Sequence, residues 1–155
     1  MATISKKVQQ RLQAEASRAR AREEKARKAE AALEVQREAE ITRLIAETGW
    51  AVCVADSDDP RDPGPHFGYT IGRSAKGHPE LCAWGHDRLD LQDTLNVLGA
   101  VAEKQAAPIT AGDLITIPMV GVWQALVVPD LVMGHLAYAR RRYTFIRAVR
   151  MRRVG

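Results

Sequence analysis

The sequence predicts an α+β fold: a mostly antiparallel sheet with two packed helices, preceded by a long N-terminal α-helix. Three observations predict it. No glycine or proline occurs between Ala2 and Thr48, where Ala, Glu, Arg, Lys, Gln and Leu, the best helix formers, dominate. From Trp50 onward, short apolar β-branched runs are separated by clusters of Gly, Pro and Asp. Two stretches of helical periodicity interrupt those runs, one after Gly85 and one after Pro129. The expected division is therefore 1–47, a charged helix and possible coiled coil, and 48–155, a small α+β domain.

The first helix can be capped at Thr3 or Ser5, and Gly49 in "ETGW" supplies its stop. At 1.5 Å per residue it would be about 60–65 Å long, more than a small domain can cover. One heptad column reads Leu12, Ala19, Ala26, Leu33, and its neighbour reads Val8, Glu15, Arg22, Ala29. Between Gln13 and Ala32 no apolar side chain exceeds alanine. A coiled coil wants large apolar residues in both columns, so this is a partial seam. Two readings stand: a solvated single helix laced with ion pairs, or self-association or docking on a protein partner through residues 1–47. Glutamates along the helix argue against nucleic acid here. Ile41, Leu44 and Ile45, at i, i+3 and i+4, form a stripe expected to fold against the domain.

"WAVCVA" (50–55) reads as a strand, and "DSDDPRDPGP" (56–65), with three prolines and four aspartates, as a loop. "HFGYTIG" (66–72) alternates, with Phe67, Tyr69 and Ile71 on one face and His66, Gly68 and Thr70 on the other. "RSAKGH" is a turn and "PELCAWG" a strand, expected over 80–84. Leu91, Leu95, Leu98 and Ala102 recur at helical spacing behind Asp87 or Asp90 as cap. "GDLITIP" and "VGVWQALVV" are two further strands. "PDLVMGHLAYARRRY" is the second helix, with Asp130 as its cap, and "TFIRAVRM" a closing strand.

Net charge is +4, but it is segregated. Residues 1–47 carry 11 basic and 8 acidic side chains, 48–133 carry 5 and 11, and 134–155 carry 7 arginines and no acid. No apolar run approaches the roughly 20 residues of a membrane span, so no membrane association is expected. The N-terminus lacks the apolar core of a secretory signal, which makes the cytoplasm the expected compartment. Cys53 and Cys82 each lie in an apolar run and read as buried thiols rather than a disulfide.

The stretch from Gly49 to Gly85 closely resembles the opening of the domain of unknown function 4262 family. Gly49, Trp50, Phe67, Tyr69, Thr70, Gly72, His78, Pro79, Glu80, Leu81 and Gly85 carry the likeness, and "HLAYARRRY" is similar to a later family motif. Arg73 stands where the family commonly has leucine. The resemblance covers about 49–150, leaves out the long helix, and implies a fold unit and candidate positions rather than a reaction.

His78 and Glu80 are the candidate catalytic pair, since a carboxylate at the start of an apolar strand can be tuned into a base by burial. The same Glu80 can instead accept from backbone amides or pair with Arg73. His66, Thr70, Arg73 and His86 are candidate ligand-binding residues, with Thr70, His66 and Gly68 forming a small polar strip. Three or four converging ligands are needed for a metal. The hairpin separates His78 from His66, so neither a metal nor a cofactor is expected. Arg140, Arg141, Arg142, Arg147 and Arg150, interleaved with Tyr138, Tyr143 and Phe145, are candidate nucleic-acid contacts. No nucleophile elbow or phosphate loop is present. The leading expectation is a non-catalytic interaction or assembly protein. The alternatives are a small enzyme or ligand-binding domain near His66–His86 and nucleic-acid binding through the arginine-rich end.

Overall fold

The computed structural model describes residues 6–128, 134–143, 145 and 147–155. The expected caps Thr3, Ser5 and Asp130 lie outside them. Within the described residues the chain forms α1 (Lys6–Thr48), β1 (Ala51–Asp56), β2 (His66–Ile71), a 3-10 turn (Arg73–Lys76), β3 (Glu80–Gly85), α2 (Arg88–Glu103), β4 (Leu114–Ile117), β5 (Gly121–Val127), α3 (Ala137–Arg142) and β6 (Ala148–Val154).

The six strands make one mixed sheet in the order β1-β2-β3-β6-β5-β4. All neighbours are antiparallel except β3 and β6, which run parallel. The expected α+β class holds, with one parallel seam through the centre. Two expected boundaries move. Among the described residues of "PDLVMGHLAYARRRY" only Ala137–Arg142 is helical. The described part of the last strand is Ala148–Val154, with Ala148 opposite Glu80; Thr144 and Ile146 of the expected strand lie outside the described residues. Beyond the expected end at Met151 it continues to Val154, which pairs with Val122.

Side chains of both sheet faces are buried. On one face Leu81, Ala83, Ala125, Val149 and Met151 pack against Leu91, Leu95 and Leu98 of α2. Asp87 caps that helix, its carboxylate accepting from the Leu89 and Asp90 amides at 2.9 Å each. On the other face Cys53, Phe67, Tyr69, Ile71 and Cys82 cluster with Ile41, Leu44 and Ile45 from the last turns of α1, and with Leu136 and Ala139. The stripe at the end of α1 therefore packs those last turns on the sheet.

The chain divides into two units, residues 1–40 and 41–155. In the described part of the first unit every residue is exposed or half-buried, including Val8, Leu12, Leu33 and Val35 at 49–66% exposure. Ile41 is the one described α1 residue that is buried. No described helix is long and apolar enough to cross a membrane.

Candidate functional site

The β2–β3 hairpin holds most of the chemically versatile residues of the chain. Its antiparallel register pairs His66 with Gly85 and Tyr69 with Cys82. His66 and His86 therefore lie towards one end, while Thr70, Arg73, His78 and Glu80 lie towards the turn. The candidate residues form two groups, not one cleft.

At the turn end, Glu80 is 1% exposed. One carboxylate oxygen accepts from the Thr70 hydroxyl at 2.6 Å. The other accepts from the Gly72 amide at 3.0 Å and the Ser74 amide at 2.9 Å. The Thr70 hydroxyl oxygen in turn accepts from the Leu81 amide at 2.9 Å. Burial pushes the Glu80 carboxyl above its ordinary pKa, and the bonds from Thr70, Ser74 and Gly72 pull it partly back. Among the structural roles weighed for Glu80, the backbone-acceptor role matches this geometry. Both oxygens are engaged and the carboxylate has no open face for a substrate.

Arg73 is fully buried, which corrects its expected place as a turn residue free to meet a ligand. Its guanidinium donates to the Pro79 carbonyl at 3.2 Å and the Gly99 carbonyl at 2.9 Å, and lies 5.4 Å from the centre of the Trp50 ring. It thus ties the hairpin turn to α2. His78 is half-buried beside it, and its Nδ1 is enclosed without a hydrogen-bond partner among the described residues. The expected polar strip of His66, Gly68 and Thr70 is also corrected. Thr70 is 0% exposed, and a Cβ on Gly68 would stand 2.7 Å from Leu95 Cδ1 and 2.9 Å from Leu91 Cγ. Helix α2 side chains fill the space over Gly68 and Thr70 is buried, so of the strip only His66 remains half-buried.

At the opposite end, His66 Nδ1 is 2.9 Å from Asp56 Oδ1, and Asp56 also pairs with Arg88. The bond to His66, with smaller help from Arg88, lowers the Asp56 pKa. His86 is exposed beyond the end of β3. Among the described residues no three His, Cys, Asp or Glu side chains are grouped to hold a metal ion.

The arginines of the last segment are dispersed. Arg140, Arg141 and Arg142 are exposed on α3, and Arg142 lies 5.4 Å from the Tyr138 ring centre. Arg147 is exposed just before β6, bordering the same hollow as Arg140. Arg150 is separate from these: it is half-buried on β6, 4.8 Å from the Trp84 ring centre.

One crevice escaped the sequence reading. It brings His86 and Arg150, assigned above to different candidate sets, together with Trp84, Trp123, Arg152 and Arg153. The cause is the parallel seam. Ladder pairs join Glu80 to Ala148, Leu81 to Val149 and Cys82 to Arg150 and then stop, although β3 runs to Gly85 and β6 to Val154. The two strands part there and leave a hollow between their carboxyl ends. No local motif signals a seam between residues this far apart in the chain.

The family model described as "Domain of unknown function (DUF4262)" matches residues 44–152, from the last turns of α1 into β6. No curated protein and no solved structure matches the chain.

Proposed function

We propose that this chain, which belongs to the domain of unknown function 4262 family, is a non-catalytic assembly protein whose α+β domain is carried on a helix that pairs antiparallel with the same helix of a second copy. The observation that carries this reading is the state of residues 6–40, a helical stretch in which no described side chain is buried within the chain. Its apolar column is symmetric about its own middle. Turning a second copy end for end sets Leu12 against Leu33 and Ala19 against Ala26. The alanines at the centre permit close approach of two backbones, and the leucines close each end of the seam.

Charge favours the antiparallel arrangement over the parallel one. Residues 6–22 hold six Lys or Arg and one Glu, while residues 23–40 hold four Lys or Arg and six Glu. Parallel copies would set basic half against basic half. Antiparallel copies set it against the acidic half. Lys6 and Lys7 also occupy the first turn of α1, which has no acidic residue. Cations are disfavoured there by the helix dipole, and the acidic half of a partner offsets that cost.

Size-exclusion chromatography with light scattering on the full chain tests the reading. The expected mass is twice the chain's 17.1 kDa. The double substitution Leu12→Glu and Leu33→Glu is expected to reduce it to that of one chain. A strict monomer at every concentration for the unmodified chain overturns the proposal.

A further inference from the structure

We infer that the crevice where β3 and β6 part binds a small phosphate monoester. Three features of the crevice point to this ligand. Its position is the first. It opens at the carboxyl ends of two adjacent parallel strands, where the strand order turns from β1-β2-β3 to β6-β5-β4. In open sheets, ligands occupy the crevice beyond the carboxyl ends of neighbouring parallel strands where the strand order reverses.

The second feature is a set of donors without acceptors. Trp84 Nε1, Trp123 Nε1 and Arg150 Nε are enclosed and have no hydrogen-bond partner among the described residues. All three belong to residues lining this crevice: Trp84 and Arg150 stack together on one sheet face, and Trp123 enters from the other. Each is a donor with no acceptor capacity, and a buried donor left unpaired destabilises the fold. A ligand rich in acceptor oxygens removes that cost.

Charge is the third. Arg150, Arg152, Arg153 and His86 line the crevice, and among the described residues no Asp or Glu does. The guanidinium fork matches the oxygens of a phosphate, and several forks around one site suit an anion with three free oxygens better than a carboxylate with two. The hollow encloses about 260 Å³. That admits a phosphate with a small organic remainder and not a run of nucleotides.

The test uses the full chain, with tryptophan fluorescence and titration calorimetry as readouts. Glycerol 3-phosphate is the monoester probe, inorganic phosphate the competitor and glycerol the uncharged control. Saturable binding of the monoester is expected, displaced by inorganic phosphate and absent with glycerol. Arg150→Gln is expected to weaken it at least about tenfold, the loss of a charge-assisted bond. Arg152→Gln, at an exposed position, serves the same purpose should the first variant fail to fold. Arg141→Gln, on α3, is expected to leave binding unchanged. The proposal is overturned by the absence of saturable monoester binding, by binding that survives both crevice substitutions, or by acetate competing as well as phosphate. A response to a polynucleotide without one to the monoester also overturns it.

Discussion

The Thr70 hydroxyl donates to the Glu80 carboxylate at 2.6 Å while accepting the Leu81 amide at 2.9 Å, so one buried hydroxyl links two neighbouring strands and the turn between them. The same carboxylate holds the Gly72 and Ser74 amides. Burial is the largest influence on Glu80 and raises its folded-state pKa above the ordinary 4.5. The folded state then binds the proton more tightly than the unfolded one. The stability linked to it is fully present below pH 4.5 and lost as pH rises through the folded value. Denaturant unfolding from about pH 4.5 to pH 8 is therefore expected to show the unmodified chain losing stability relative to Glu80→Gln. Glu80→Ala, which strands the three donors, is expected to cost roughly 3 kcal/mol or more. Parallel pH profiles for the unmodified chain and Glu80→Gln would contradict this account of Glu80.

The two glycines that frame the turn differ in their surroundings. Gly72 has φ 110°, and an added Cβ would stand 3.0 Å from Ile45 Cγ1 and 3.1 Å from the Gly49 carbonyl oxygen. Gly77 has φ 81° with nothing within 4 Å of an added Cβ. Gly72→Ala combines backbone strain with crowding and is expected to cost about 2–4 kcal/mol. Gly77→Ala carries the strain alone, about 1 kcal/mol. Equal losses in chemical denaturation would show that the packing of α1's last turns against the turn is not what distinguishes them.

Burial pushes the Cys82 thiol up to about 12, and its Sγ lies 3.6 Å from the Val149 carbonyl oxygen. Cys53 is 6% exposed on the other side of β2. Both thiols are buried in the folded chain, so labelling by a thiol reagent is expected to proceed at the rate of unfolding. A rapid stoichiometric reaction of the folded chain would contradict it.

How much of this was legible depended on how local each signal is. The alternation of Phe67, Tyr69 and Ile71 located β2 and its core face. Strands expected at 50–55, 66–72 and 80–84 lie at Ala51–Asp56, His66–Ile71 and Glu80–Gly85. The opposite face was misread because glycine has no side chain to betray contact. Gly68 is the gap into which Leu91 and Leu95 of α2 settle, and Thr70 on the same face is fully buried. Arg73 looked like a turn cation since nothing in "RSAKGH" announces the Gly99 carbonyl, 26 residues on. The seam pairing Glu80 with Ala148 has no local signature, so the crevice joining His86 to Arg150 was beyond any reading of neighbouring residues.

The central claim is that residues 6–40 pair antiparallel between two copies, and site-specific cross-linking tests it most directly. Leu12→Cys and Leu33→Cys chains would be prepared separately, then oxidised alone and as a mixture. The native cysteines are buried and serve as a silent background. The account predicts a disulfide between position 12 of one chain and position 33 of the other in the mixture, with little linkage in either variant alone. Efficient linkage of like with like, 12 to 12 and 33 to 33, or no linkage in any sample, would contradict it.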